Sequence, residues 1–168
     1  MLGVSCKVEL NMRFTDEIQF ENHLRELINQ QICSSNNDIV VFENKNLADI
    51  VICKNNETSG IYFIEVKHLK PRMGRLGFGG RNGSGFQPEI LKKRPKYLES
   101  NLIWVLYSEV HENNDGIVVL TSKELCDDFL QGGSVADKYN GIQQNVFDRK
   151  DGITDEKFIE YISKWLNS

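Results

Sequence analysis

With 168 residues, 40% of them hydrophobic and 26% charged, the chain has ordinary globular composition and enough length for one domain with a sizeable core. That balance excludes a disordered chain, no apolar run is long enough to span a bilayer, and the N-terminus has no secretory pattern. A formal charge of −4 excludes a generally basic nucleic-acid binder, yet nine cations face Glu89 alone between Lys67 and Lys96, a local +8.

Val4, Cys6, Val8, Leu10, Met12 and Phe14 alternate with polar residues, a period of two that predicts a strand with one wet face. Such a strand suits a sheet edge or a contact between subunits. Thr15, Asp16 and Glu17 then form a helix start, with acid in the first turn where the dipole favours it. Ile18, Phe20, Leu24, Leu27 and Ile28 give a one-sided apolar stripe that carries this helix to about Gln31. His23 has no carboxylate or cysteine at metal-ligand spacing and reads as a boundary histidine. The four cysteines, Cys6, Cys33, Cys53 and Cys126, are widely spaced and form no Cys-x-x-Cys pair. Reduced thiols in a cytoplasmic protein fit this pattern better than disulfides or zinc.

Residues 33–37 read as a polar loop and Ile39–Phe42 as a short buried strand. From Ala48 to Lys67 the chain carries two β-branched and aromatic runs, Ala48–Cys53 and Ile61–Lys67, around an Asn/Ser/Gly cluster. This is the pattern of a β-hairpin. Centring the loop on Glu57 places Asp49 opposite Glu65, and the period of two puts Lys67 on the same face as Glu65. Two carboxylates and an ammonium thus converge at one end of an otherwise apolar hairpin. One reading is a salt bridge at its open end. The other is a site, because charge among apolar neighbours is costly unless paired or bound to metal. Paired hard oxygens suit Mg²⁺ or Mn²⁺, and an adjacent lysine can orient water or stabilise developing negative charge. That combination fits metal-assisted phosphodiester hydrolysis.

Ala48-Asp49-Ile50-Val51-Ile52, a turn, then Ile64-Glu65-Val66-Lys67 resembles the core motif of the PD-(D/E)xK nuclease superfamily, the restriction-endonuclease-like fold. Ala48 stands where the motif often has proline. The likeness covers about twenty residues, and about sixty with the preceding helix. It implies an α/β fold with a mixed central sheet flanked by helices, begun by a meander of three short strands. It implies Asp49, Glu65 and the Val66 carbonyl as metal ligands, with Lys67 positioning or activating water. It further implies a glutamate from the helix before the sheet, for which Glu21 is the best match. A polar residue from the helix after the motif is also implied, a place that Gln87 or Lys92 can fill.

Beyond the motif, Gly74, Gly77, Gly79, Gly80, Gly83 and Gly85 predict a loop without regular structure. Their spacing fits neither a dinucleotide fingerprint nor a P-loop. Lys70, Arg72, Arg75 and Arg81 in this loop, with Lys92, Lys93, Arg94 and Lys96 after it, are candidate phosphate contacts. The alternative is a solvated basic loop. Gln87–Lys93 reads as a short helix with Pro88 in its first turn, ended or kinked at Pro95. Asn101–Tyr107 reads as a central strand covered on both faces, His111–Asp115 as a polar turn and Gly116–Leu120 as a further strand. Thr121 and Ser122 cap a helix to about Leu130. Residues 135–151 read as irregular. Thr154 starts a last helix whose Phe158, Ile159, Ile162, Trp165 and Leu166 form a core stripe.

The expectation from the whole chain, 1–168, is one α/β domain that cleaves nucleic acid with Mg²⁺ or Mn²⁺, DNA rather than RNA. One motif per chain implies a homodimer or two visits for cuts in both strands. Three alternatives stand beside it: an RNA-directed nuclease, a catalytically silent nucleic-acid-binding module, and a protein-interaction domain with a basic Gly-rich loop.

Overall fold

The computed structural model describes residues 13–44, 47–70, 76–77, 86, 93, 96–109, 111, 116–131 and 141–168. Helix α1 (Glu17–Gln31) leads into β1 (Ile39–Asn44), β2 (Ala48–Lys54) and β3 (Gly60–Leu69). A two-residue strand, β4 (Leu76–Gly77), follows, then α2 (Lys96–Asn101), β5 (Leu102–Ser108) and β6 (Val118–Thr121). Helix α3 (Ser122–Glu124) continues as a π turn over Leu125–Phe129. Strands β7 (Leu130–Gln131) and β8 (Gly141–Ile142) and helices α4 (Val146–Arg149) and α5 (Asp155–Leu166) complete the described chain.

Five strands form one mixed sheet in the order β1-β2-β3-β5-β6. The β1-β2-β3 meander is antiparallel, β3 and β5 run parallel, and β6 returns antiparallel to β5. The α/β architecture expected from the sequence is therefore present, meander included. The parallel pairing of β3 with β5 requires a crossover, and residues 70–101 supply it. All seven residues of β5 are buried, as its unbroken apolar run requires.

Alternation along the strands divides the core in two. On one face Ile50, Ile52, Ile64, Val66, Ile103 and Val105 meet Phe20, Leu24 and Ile28 of α1 and Phe158, Ile162 and Leu166 of α5. On the other, Val51, Phe63, Leu102, Trp104, Leu106 and Leu120 meet side chains from β4, β8, the π turn and α4. The second layer rests on a small sheet in the order β4-β8-β7. There a Cβ at Gly141 would strike the Leu76 carbonyl, so the close strand approach needs glycine.

Helix ends follow their local chemistry. Asp16 caps α1 by accepting the Gln19 N–H at 2.8 Å, and Thr121 and Glu124 form a reciprocal capping box. Thr154 caps α5. At the other end of α5, the buried Lys54 amine donates to the Leu166 carbonyl at 2.5 Å and to Asn167 Oδ1 at 3.1 Å. A cation at a helix C-terminus meets the orphan carbonyls there, which explains a lysine inside a sheet.

Four expectations are corrected. Strand β1 is not buried on both faces: Val40 and Phe42 are 48% and 47% exposed, because they point from the last described strand of the sheet toward a side that no described element covers. Ile18 is 65% exposed, since it lies off the Phe20–Leu24–Ile28 stripe. The glycine-rich stretch is not wholly irregular, for Leu76 and Gly77 pair with Ile142 and Gly141. Within 135–151, Val146 and Phe147 are buried and α4 forms around them. A helix also starts directly after Pro95 as α2, where proline precedes the first turn. The expected strand over 4–14 and helix over 87–93 lie almost wholly outside the described residues. Among the described residues no helix is long and apolar enough to cross a membrane. Cys33 and Cys53 are free thiols.

Candidate active site at the open end of the hairpin

The β2–β3 ladder pairs Ile50 with Ile64, and the same register carried one residue further sets Asp49 opposite Glu65. Here the ladder gives way to side-chain bonding. Asp49 Oδ2 accepts the Val66 N–H at 2.7 Å, which ties the end of β2 to β3. Asp49, Glu65 and Lys67 share the second face of the sheet, the side carrying Val51 and Phe63.

Lys67 is the hub. Its Nζ donates to the Val66 carbonyl at 2.6 Å. It lies 3.6 Å from Glu17 Oε1, 3.7 Å from Asp49 Oδ2 and 3.9 Å from Glu65 Oε2. Burial works against its charge, but Glu17, Asp49 and Glu65 outweigh that penalty and hold its pKa above the ordinary lysine value. Three carboxylates therefore surround one ammonium.

Glu65 has the opposite problem. Its side chain is 6% exposed, and burial pushes its pKa up to about 8, with the Asp49 and Glu17 charges adding to the rise against the pull of Lys67. The Phe86 N–H donates to Glu65 Oε1 at 3.3 Å, and the Phe86 ring stands on Phe63 with centroids 5.2 Å apart. Phe86 thus excludes water from Glu65 while giving it one hydrogen bond. A carboxyl held this way binds a proton at neutral pH unless further positive charge arrives.

Glu17 was not among the residues expected here. From the first turn of α1 it reaches Lys67 with one oxygen and accepts the His68 N–H with the other at 3.2 Å. Glu21, one turn later, pairs with Arg25 at 3.4 Å. Their i, i+4 spacing puts both acids on the same side of α1, so spacing offers the two together and does not single out Glu17.

Past Lys67, the imidazole of His68 is fully buried, lies 2.9 Å from Glu109 Oε1 and stacks on Tyr107 at 5.5 Å. Burial lowers the His68 pKa despite the neighbouring Glu109. The pair joins the ends of β3 and β5 just beyond the carboxylates. His23, read as a boundary histidine, contacts Asp155 at 2.9 Å with Arg13 beside it, away from metal-ligand geometry.

No family model matches the chain. A search of curated proteins finds no match either. The site must be judged on its own chemistry.

Asp49, Glu65 and the Val66 carbonyl offer hard oxygen atoms, the donor chemistry that Mg²⁺ or Mn²⁺ takes. Among the described residues no cage of three or more His, Cys, Asp or Glu side chains forms. Two carboxylates and a carbonyl suffice for Mg²⁺, which keeps several of its waters. Of the expected phosphate contacts, Lys70 is half-buried at the end of β3, while Lys93 and Lys96 are exposed. Arg72, Arg75, Arg81, Gln87, Lys92 and Arg94 lie outside the described residues.

Proposed function

We propose that the protein is a divalent-metal-dependent nuclease that hydrolyses the phosphodiester bonds of nucleic acid. The observation that carries this reading is the convergence of Asp49, Glu65 and Glu17 on the Lys67 ammonium at one sheet end. A structural ion pair needs one acid per base. Three acids surround one lysine, and burial, then the Asp49 and Glu17 charges, push the Glu65 pKa up to about 8, so a carboxylate there needs more positive charge than Lys67 supplies. A bound cation would supply it.

Asp49, Glu65 and the Val66 carbonyl would hold Mg²⁺, which supplies a Lewis acid for the phosphoryl oxygen and a lowered water pKa. Lys67 keeps its proton under the influence of three carboxylates, so it serves here as a fixed donor to a water or to a phosphate oxygen. Glu17 orients that amine. Phe86 keeps bulk water from Glu65, which strengthens every charge interaction at the site. The cations between Lys67 and Lys96 would hold the sugar–phosphate backbone, which positions substrate without reading sequence.

One observation favours a second reading, a catalytically silent nucleic-acid-binding module in the same fold. Lys67 is bonded to the Val66 carbonyl, the oxygen a metal would need. In that reading the ammonium is itself the permanent cation of the site. Incubating the protein with plasmid DNA and Mg²⁺ or EDTA separates the two. Cutting that EDTA suppresses supports the nuclease, and salt-sensitive retardation without cutting supports the silent module.

A further inference from the structure

The outer half of the site-bearing face is apolar and open. Register places Phe42, Val51 and Phe63 in one row across β1, β2 and β3, and Val40, Cys53 and Ile61 in the next. The Asp49–Glu65 pair stands one row beyond Phe63 on the same face. Val51 and Phe63 are buried, whereas Val40, Phe42 and Ile61 are each between 45% and 48% exposed. Tyr97 of α2 extends the surface. Its hydroxyl accepts the Ile61 N–H at 2.9 Å and donates to the Ile61 carbonyl at 2.6 Å, yet the residue is 50% exposed.

Those two bonds matter. They fix the tyrosine ring at the edge of β3 without burying it, so little conformational entropy remains to be lost when something flat is laid on it. The pleat of β1 aims Phe42 out of the same face. Two strands and two residues separate its position from Ile61, about 12 Å by sheet geometry. Lys96 precedes Tyr97, Lys93 lies four residues before it, and both are exposed in the segment of local charge +8. A fixed, exposed tyrosine beside exposed cations, with Phe42 exposed on the same sheet face, suits a ligand with flat apolar faces and a polyanionic backbone. Duplex DNA hides its base faces. An unpaired strand presents them.

We infer that this face binds unpaired nucleic acid, with bases stacked on Phe42 and Tyr97 and the backbone led by Lys93 and Lys96 toward Asp49 and Glu65. This rests on the nuclease reading for the direction of the strand, and it makes the substrate class single-stranded or frayed nucleic acid. Base–aromatic stacking tolerates any sequence, so the surface selects strand state and not sequence.

The test is fluorescence anisotropy of the full chain in EDTA, with a labelled single-stranded oligonucleotide and a duplex of the same length. Phe42→Thr and Tyr97→Leu are each compared with wild type. Phe42→Thr keeps β-propensity at an exposed site, and thermal melting confirms that both variants are folded. Each is expected to weaken single-strand binding about tenfold and to leave duplex binding within about twofold. Unchanged single-strand affinity in both variants overturns the inference, as does equal loss for strand and duplex. Sedimentation showing that wild type is a dimer which Phe42→Thr dissociates also overturns it, by making the face a contact between copies. Because no cleavage is required, strand-selective binding without any metal-dependent cutting would sink the nuclease reading while leaving this one standing.

Discussion

The Glu17 carboxylate straddles β3, with one oxygen 3.6 Å from Lys67 Nζ and the other accepting the His68 N–H at 3.2 Å. A helix and a strand are thereby locked together at the point where the lysine must be aimed. Glu17→Gln keeps the backbone hydrogen bond and removes the charge that favours protonated Lys67. Plasmid cleavage by Glu17→Gln is expected to fall by about ten- to a hundredfold, and by more than in Glu21→Gln. A greater loss in Glu21→Gln would reassign the helix acid to Glu21.

Glu65 makes stability depend on pH in a definite direction. Its folded pKa, about 8, lies above the ordinary value of 4.5. Between these values the native state binds a proton that the unfolded chain has released, so stability falls as pH rises through this window. Metal-free protein should therefore unfold at lower urea concentration at pH 8 than at pH 6. Glu65→Gln should flatten this slope and melt higher than wild type at pH 8. An equally steep slope in Glu65→Gln would place the proton on another group.

The hairpin was legible because its chemistry is symmetric. Asp49 and Glu65 sit equally far from Glu57, and β-branched runs on both sides leave one register that buries both. The helix stripes over Phe20–Ile28 and Phe158–Leu166 were legible for the same reason, since a 3.6-residue period has one phase that packs. Glu17 was not, because acids one turn apart share a helix side and only the reach to Lys67 decides between them. Val40 and Phe42 look like core in sequence, and nothing local says that their side of β1 is left open. Helix α4 has no side-chain cap at Asn145, so Val146 and Phe147 are held by burial against the sheet, which local sequence does not display.

His68 and Glu109 close the sheet beside the site, and each is nearly inaccessible to solvent. Burial lowers the His68 pKa, and its Nε2 lies 2.9 Å from Glu109 Oε1 without an aligned hydrogen bond, so the contact is a close electrostatic approach between buried groups. Glu109→Ala removes the charged neighbour of the buried ring and leaves a void beside it, and should cost about 2–3 kcal/mol in urea unfolding. Glu109→Gln keeps a polar partner and should cost less than half as much. Equal losses would mean that packing, not the contact with His68, sets the value.

The most direct measurement is cleavage of supercoiled plasmid, linear duplex, branched DNA and RNA by wild type and Lys67→Ala. Each is run with Mg²⁺, Mn²⁺ or EDTA, and folding of the variant is verified by melting. Lys67 touches every acid of the site, so its removal tests the cluster as a unit. The nuclease reading predicts metal-dependent cutting by wild type, none in EDTA, and a loss of at least about a thousandfold in Lys67→Ala. Cutting that survives the substitution unchanged, or its absence from wild type on all four substrates, would contradict the reading.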